Sequence, residues 1–367
     1  MPRPVITSPH RSSVTSPAAG FMPRSLRCVA SIHGSLTAVM PGRDLALFSL
    51  RSGRRFAERV AERLGVDVGG HEEREFEWGA HKSRPLVSVR DRDVYVVQSL
   101  HGDPEHSVND KLCRLLFFLA ALRDASAARV TAVVPFLCYS RKDRQTKARD
   151  PVTTRYVAQL FEAVGVDRVV TLEVHNVAAF QNAFRCRTEH LDASRLFAEF
   201  LASRFADREL AVVSPDLGGV KRAERYRQML SRLLDREPSA GYVEKQRSQD
   251  RVSGHAVIGD LEGRTVLLVD DMISGGTTIA LAAEACRTAG ARAVVAAAAH
   301  GAFVPEASHR LANAWLEGIA ILDHISPDAL DPRLVADKVW ILDGSGLVAD
   351  AIRRMHEGGS IVELLDG

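Results

Sequence analysis

The sequence predicts an α/β fold in which mainly parallel sheets are flanked by helices. From Asp44 onward, short apolar runs rich in β-branched residues alternate with amphipathic stretches of helical length, a pattern typical of this class. Most of the apolar runs lack polar alternation, as expected of strands that are buried on both faces of a parallel sheet. With 367 residues, of which 46% are hydrophobic, the chain has room for two domains.

The individual elements follow from these runs and from the segments between them. The predicted strands are, in chain order, 94–98, 130–136, 169–172, 210–214, 265–269, 292–298 and 339–342. The predicted helices are 53–64, 109–123, 153–164, 193–204, 220–234 and 277–289. Because strand, helix and strand recur in both halves, we predict two related domains, 44–190 and 191–344. A C-terminal helix over 345–356 is a candidate to pack on the first domain.

The first 43 residues differ in composition from the rest of the chain. They contain five arginines, no lysine and no acidic residue, and they are rich in serine, proline and alanine. We expect this segment to be mostly disordered and to carry no chemistry. A transit peptide would have a similar composition, but Met22 and Met40 are possible internal translation starts. We therefore favour a start codon assigned too far upstream, or a dispensable tail, over a targeting segment.

Charge and hydropathy exclude several classes of protein. The net charge of +2 is too small for a dedicated nucleic-acid binder, although a local anion site remains open. No apolar run reaches the roughly 18 residues of a membrane-spanning helix, so we expect a soluble, cytoplasmic protein with no membrane partner. The five cysteines are scattered without a CxxC pair, which argues against a disulfide framework and a cysteine zinc site.

The most informative segment is TVLLVDDMISGGTTIALAAEA, residues 265–285. An apolar strand runs into paired acids and then into a turn rich in glycine and hydroxyl groups at the start of a helix. Such a turn lets backbone amides approach a monophosphate, and the acids beside it are placed to accept hydrogen bonds from ribose hydroxyls. The simpler alternative is a strand-to-helix turn with capping residues. The candidate residues are Asp270, Asp271, Ser274, Gly275, Gly276, Thr277 and Thr278.

This segment resembles the phosphoribosyl pyrophosphate loop of type I phosphoribosyltransferase folds, and specifically that of the ribose-phosphate pyrophosphokinase family. Other stretches resemble that family in the same order: DVYVVQS from residue 93, SAARVTAVVPFLCYSRKDRQ from 126, VGVDRVVTLEVH ending at His175, VVSPDLGGVKRA from 212, VIGDLEGRTVLLVDD from 257 and SGLVADAIRRM from 345. The resemblance implies two tandem type I phosphoribosyltransferase-like domains with the active site between them.

The resemblance also implies an activity and roles for further residues. The reaction would transfer the pyrophosphoryl group of ATP to the C1 hydroxyl of ribose 5-phosphate. By the same resemblance, Lys245 and Arg247 would be catalytic on a flexible lid loop, and His175 and Asp216 would be the Mg²⁺ ligands. ATP would contact Phe76, Trp78, Arg141 and Lys142. Dimers that assemble to a hexamer would be expected, with Trp78 reaching the base across a subunit boundary.

The chain departs from the family pattern mainly at the nucleotide base. The family motif F-x-D-G-E is here Phe76-Glu77-Trp78-Gly79-Ala80, so both acids are missing, and the phosphate loop D-T-G-G-T has become S-G-G-T-T. Three hypotheses remain: an active synthetase that is divergent at the base site, a non-catalytic regulatory paralogue that assembles with an active synthetase, and a phosphoribosyltransferase that consumes phosphoribosyl pyrophosphate. The two-domain length and the RKDR and VEKQR segments disfavour the third.

Overall fold

The computed structural model describes residues 44–248 and 251–366, so the N-terminal segment 1–43 lies outside the described residues. The strands are β1 Leu45–Phe48, β2 His71–Glu75, β3 His81–Pro85, β4 Asp93–Val97, β5 Arg129–Val133, β6 Arg168–Leu172, β7 Arg187–Leu191, β8 Leu210–Ser214, β9 Ser239–Ser248, β10 Arg251–Ile258, β11 Thr265–Met272, β12 Ala293–His300, β13 Gly318–Leu322 and β14 Val339–Leu342. The helices are α1 Arg54–Leu64, α2 Val108–Asp124, α3 Thr153–Ala163, α4 Val177–Ala183, α5 Ser194–Phe205, α6 Val220–Leu234, α7 Thr277–Thr288, α8 Ala307–Asn313, α9 Pro332–Lys338, α10 Ser345–Glu357 and α11 Ile361–Asp366. Among these helices none is long and apolar enough to cross a membrane.

Two separate sheets organise the molecule. The first has the strand order β1-β4-β5-β6-β7, and all its pairings are parallel. The second has the order β10-β9-β8-β11-β12-β13-β14, and it is parallel except where β10 runs antiparallel to β9. The α/β fold class predicted from the sequence is confirmed. The predicted strands and helices all occur, with ends that shift by up to three residues.

The burial of the strands agrees with the composition that predicted them. Every residue of β4, β8 and β13 is buried, and these runs are almost wholly apolar, as expected of strands with both faces of the sheet covered by helices. Apart from β9 and β10, which are described below, the strands that the sequence did not predict are β1, β2, β3, β7 and β13. The first is only four residues long, and β7 has the polar sequence RTEHL, which lies at the edge of the first sheet and is mostly half-buried.

A correction concerns the segment YVEKQRSQDRVSGHAV, which the sequence indicated to be a flexible loop. Its described backbone forms β9 and β10, an antiparallel pair in which Lys245 stands opposite His255 and Arg247 opposite Val252. The polar composition was misleading because β9 starts within the second sheet, pairing in parallel with β8 over Ser239–Tyr242. It then extends beyond the sheet as a two-stranded ribbon, where apolar residues are not required.

One cluster of buried side chains connects the two sheets. It contains Leu47 and Val97 of the first sheet, Leu267 of the second, and the helices packed between them. Helix α10, close to the predicted 345–356, packs against α1, where Arg63 Nε donates to Ser345 Oγ at 3.1 Å. The division into two domains at residue 190 stays a prediction, since this apolar cluster crosses it.

Candidate active site

A cavity of about 190 Å³ lies where strands of both sheets end. It is reached from the first sheet by the segments after β5 and β6, and from the second sheet by the segments after β8 and β11. Parallel strands present their carboxyl ends at the same edge, so polar residues that directly follow several strands meet there. The predicted site residues that line this cavity are Arg141, His175, Asp216, Asp270, Asp271, Ser274, Gly275, Gly276, Thr277 and Thr278.

The floor of the cavity is the turn between β11 and α7. Gly276 has φ +76°, and a Cβ atom there would lie 2.9 Å from Cγ of the buried Leu311, so the turn requires glycine. Arg310 Nη1 donates to the Gly275 carbonyl at 2.9 Å and holds the turn from the side. The N-cap residue of α7 is Gly276, which has no side chain to cap the first amides of the helix. Its first amides therefore face the cavity and are available to an anion.

Two carboxylates and one guanidinium form the wall of the cavity. Arg222 Nη1 lies 3.4 Å from Asp270 Oδ1 and 3.4 Å from Asp271 Oδ1. Burial, together with the neighbouring Asp271 carboxylate, raises the pKa of Asp270 to about 7. Burial alone would also raise the pKa of Asp271, but the hydrogen bond with His175 and the charge of Arg222 outweigh it and lower that pKa. One acid is thus ionised at neutral pH and the other is close to its midpoint.

His175 faces this acid pair from the first sheet. Its Nδ1 lies 3.2 Å from Asp271 Oδ2, and this hydrogen bond raises the pKa of the imidazole above its ordinary value. Asp216 approaches from the end of β8, and its Oδ1 accepts from the amides of Gly218 at 2.8 Å and Gly219 at 3.2 Å. These two amides fix the orientation of the carboxylate.

Arg222 and Glu173 also contact the acid pair or each other in this cavity wall, and the sequence did not predict them as site residues. Arg222 lies six residues after Asp216 at the beginning of α6, among several other basic residues of that helix, so the sequence alone does not single it out. Glu173 is buried with φ +38°, a strained conformation for a residue with a side chain. Burial and the charge of Asp192 raise its pKa to about 8. Glu173 directly follows β6 and lies two residues before His175.

Three predicted residues, Phe76, Trp78 and Lys142, do not line the cavity. Phe76 and Trp78 occupy the turn between β2 and β3, where their exposed fractions are 44% and 93%. Such exposure of a tryptophan is unusual for a monomeric surface. Lys142 pairs with Asp150 at 3.5 Å. The side chains of Lys245 and Arg247 lie outside the described part of the structure, and only their backbone positions on β9 are given.

Within residues 44–248 and 251–366, no group of three or more histidine, cysteine, aspartate or glutamate side chains has the arrangement of a metal site. His175 and Asp216 would therefore supply only part of a coordination shell. Magnesium commonly takes one or two protein ligands and completes its shell with water and substrate phosphates. The donors present fit that mode of binding.

Comparison with known proteins gives consistent matches across the chain. Residues 45–165 match the model of the N-terminal domain of ribose phosphate pyrophosphokinase, and residues 242–366 match the phosphoribosyl synthetase-associated domain. The chain is 35% identical to a ribose-phosphate pyrophosphokinase of Streptococcus pneumoniae, over 88% of this chain and 97% of the relative. It is 36% identical to that of Clostridium acetobutylicum, over 86% and 95%. The crystal structure of phosphoribosylpyrophosphate synthetase from Mycobacterium smegmatis superposes with a TM-score of 0.78 at 33% identity, covering 86% of this chain and 100% of that one.

Proposed function

The chain belongs to the ribose-phosphate pyrophosphokinase family, and on that premise we propose that the cavity at the end of β11 is its active site. The enzyme transfers the pyrophosphoryl group of ATP to the C1 hydroxyl of ribose 5-phosphate, giving phosphoribosyl pyrophosphate and AMP. The observation that carries the site assignment is that one cavity holds the glycine turn, the acid pair, His175 and Asp216.

The turn between β11 and α7 would bind the 5-phosphate of ribose 5-phosphate. The uncapped amides at the start of α7 and the hydroxyls of Ser274, Thr277 and Thr278 all offer hydrogen-bond donors to phosphate oxygens. These donors would replace much of the hydration shell of the phosphate. Because Arg310 holds the Gly275 carbonyl, the turn needs little reorganisation on binding.

The acid pair would bind the ribose hydroxyls. A carboxylate accepts two hydroxyl donors, and Asp271 is the acid kept ionised by His175 and Arg222. Asp270, whose pKa is about 7, can either accept or donate near neutral pH. The sugar would thus be oriented by groups that Arg222 already holds in position, and its C1 hydroxyl would project toward the side where Arg141 lines the cavity.

The transfer forms a bond from the C1 oxygen to the β-phosphorus of ATP and breaks the bond from that phosphorus to the oxygen shared with the α-phosphate. Such a reaction depends mainly on positioning and charge neutralisation. We propose Mg²⁺ as the cofactor, held through His175 and Asp216, where it would neutralise phosphate charge. Arg141 and Lys142 would contact ATP, and Lys245 and Arg247 on the β9–β10 ribbon would add positive charge at the transferred group.

We propose that a second subunit completes the nucleotide pocket, and the exposed turn between β2 and β3 supports this. Trp78 is 93% exposed in the single chain, and it lies on a hairpin separate from both large sheets. Burying this indole against a base or a subunit would remove a large apolar surface from water. We propose that the protein forms dimers that assemble to a hexamer, with Trp78 of one subunit stacking on the base bound to another.

The direct test is a donor assay on the purified full chain. The protein is incubated with magnesium, ribose 5-phosphate and each of ATP, dATP, GTP and CTP, and phosphoribosyl pyrophosphate and nucleoside monophosphate are measured together. We expect both products in equal amounts, with activity lost in Lys245→Ala and retained in Arg232→Ala, an exposed cation of α6. Absence of product with every donor would refute the catalytic assignment and favour the regulatory paralogue.

The subunit proposal has a separate test by complementation. Trp78→Ala and Lys245→Ala would each be weakly active or inactive alone. The first variant lacks the indole that a neighbouring subunit would contribute, and the second lacks the lysine on β9. Mixing them under conditions of subunit exchange is expected to restore part of the activity, because some sites then receive both residues. Light scattering gives the assembly state. A monomer with full activity would contradict the proposal.

A further inference from the structure

Tyr139 is a strained residue that lies two positions before Arg141. It follows the buried residues Leu137 and Cys138 in the segment after β5, and its φ is +59°. A bulky residue rarely adopts this left-handed conformation, because its Cβ comes too close to the following carbonyl oxygen. Glycine would adopt it at a lower cost. Such strain persists only where surrounding contacts enforce it, and it is concentrated at functional sites.

The backbone contacts that enforce the strain close a turn over residues 139–142. The amide of Lys142 donates to the Tyr139 carbonyl at 3.0 Å, and the same carbonyl accepts from Thr154 Oγ1 at 2.9 Å. The Thr154 amide donates in turn to the Lys142 carbonyl at 3.3 Å. Thr154 is buried near the start of α3. Helix α3 therefore holds the turn at both of its ends.

The side chain of Tyr139 holds the turn from a second direction. Its hydroxyl donates to Oδ1 of Asn109, which lies in the first turn of α2. The start of α2 is itself fixed, because Ser107 and Asp110 form a reciprocal capping box there. The phenol thus connects the turn to a rigid helix end, while the backbone connects it to α3.

The side chain that this turn directs into the cavity is Arg141. Arg141 lines the cavity, and its Nη1 lies 3.9 Å from Sδ of Met272. A thioether is a weak acceptor, so this contact does little to fix the guanidinium, and its placement depends on the backbone of the turn. A long side chain loses rotamer freedom on binding a ligand, and a fixed backbone lowers that cost. Among the described residues that line the cavity, Tyr139 is absent.

We propose that Tyr139 is a positioning residue for ATP and that it acts through Arg141. The phenol holds the turn so that the guanidinium already lies in the cavity when the phosphates arrive. Tyr139 itself does not touch the substrate. This inference rests on the proposed contact between Arg141 and ATP.

The test measures ATP binding by calorimetric titration of the full chain with magnesium and without ribose 5-phosphate, so that no transfer takes place. Tyr139→Phe keeps the ring and removes the donor, and Asn109→Ala removes the acceptor. Each is expected to weaken ATP binding about threefold to tenfold, the range that one hydrogen bond provides. Tyr156→Phe, at an exposed tyrosine of α3, is the matched control and is expected to bind as wild type does. Unchanged ATP affinity in Tyr139→Phe would overturn the proposal.

A double variant separates positioning from a structural role. When Arg141→Ala is already present, adding Tyr139→Phe is expected to weaken ATP binding by less than about twofold, since the side chain that Tyr139 positions is gone. If Tyr139→Phe weakens binding by the same factor with and without Arg141, it does not act through Arg141 and the proposal fails. Tyr139→Phe should leave the affinity for ribose 5-phosphate unchanged. An equal loss for both ligands would mean a general distortion of the cavity and would also overturn the proposal.

The donor assay keeps this inference separate from the proposed function. If wild type binds ATP but forms no product, the catalytic assignment fails, and the affinities of the variants still decide the role of Tyr139. If wild type forms product and Tyr139→Phe binds ATP equally well, only this inference fails. A wild type that does not bind ATP would overturn both.

Discussion

In wild type, we expect Asp270 to lower the free energy of unfolding as the pH rises from 5 to 8. Replacing Asp270 with asparagine is expected to remove this pH-dependent loss of stability. In the folded chain, burial and the neighbouring Asp271 raise the pKa of Asp270 from its ordinary value of 3.8 to about 7. A carboxyl with a raised pKa takes up a proton on folding. Its contribution to stability is therefore complete below pH 3.8 and is lost as the pH rises through 7. Asparagine has no such proton to lose.

The size of the effect follows from the two pKa values. Integrating the linkage relation between pH 5 and pH 8, with 3.8 for the unfolded and about 7 for the folded carboxyl, gives a loss of about 2–3 kcal/mol from Asp270. Asp271 does not enter this interval, because its pKa is lowered and it is ionised throughout. Glu173, whose pKa is about 8, is present in both proteins and cancels in the comparison.

The assay is urea denaturation without magnesium or substrate, at fixed protein concentration and at several pH values from 5 to 8. Tryptophan fluorescence reports unfolding through Trp315 and Trp340. Wild type is expected to lose about 2–3 kcal/mol more than Asp270→Asn across this range. Asp337→Asn, an exposed acid of α9, should follow wild type. If the free energy of unfolding of wild type and of Asp270→Asn changes with pH in the same way, Asp270 is not a buried acid with a raised pKa. The same variant should raise the KM for ribose 5-phosphate.

Three further predictions concern the turn, the hairpin and the contact of α10 with the first sheet. Gly276→Ala places a Cβ 2.9 Å from Leu311 Cγ at φ +76°, so we expect a loss of about 1–3 kcal/mol in stability and weaker ribose 5-phosphate binding, measured by thermal denaturation and calorimetry. Trp78→Ala should raise the KM for ATP about tenfold. The melting temperature and the KM for ribose 5-phosphate should stay unchanged, because the side chain is 93% exposed. An equal rise in both KM values would contradict a role of Trp78 at the base. Arg129→Met leaves the buried Asp93 with Tyr95 and His356 but without the guanidinium whose Nε lies 2.7 Å from Oδ1, and it should cost about 2–3 kcal/mol in urea denaturation. Arg353→Met, which removes an exposed ion pair on α10, should cost under about 1 kcal/mol.

The ends of the predicted elements were close because buried parallel strands leave a clear mark on a sequence. Runs such as LAVVS and TVLLV have no polar alternation, and glycine and acidic residues mark where they stop. The grouping of Asp216 and Asp270 in one cavity was foreseeable for the same reason, since both directly follow strands of one parallel sheet.

What could not be predicted depends on contacts between distant segments. The β9–β10 ribbon was misread as a loop because its strand character comes from pairing with β8 and with itself. Arg222 was missed because an arginine in a polar helix has no mark of its own, and its importance comes from two carboxylates 48 and 49 residues away.

The apolar cluster shared by the two sheets restricts how this protein can move. Leu47, Val97 and Leu267 belong to one buried cluster, so rotating one sheet as a rigid body away from the other would open that cluster to water. Hinge closure of two lobes, common in enzymes with a cleft between domains, is therefore an expensive motion here. We expect substrate enclosure to come instead from segments outside the cluster, such as the β9–β10 ribbon. The rate of turnover would then follow the opening of this ribbon, and the two halves of the chain would unfold together.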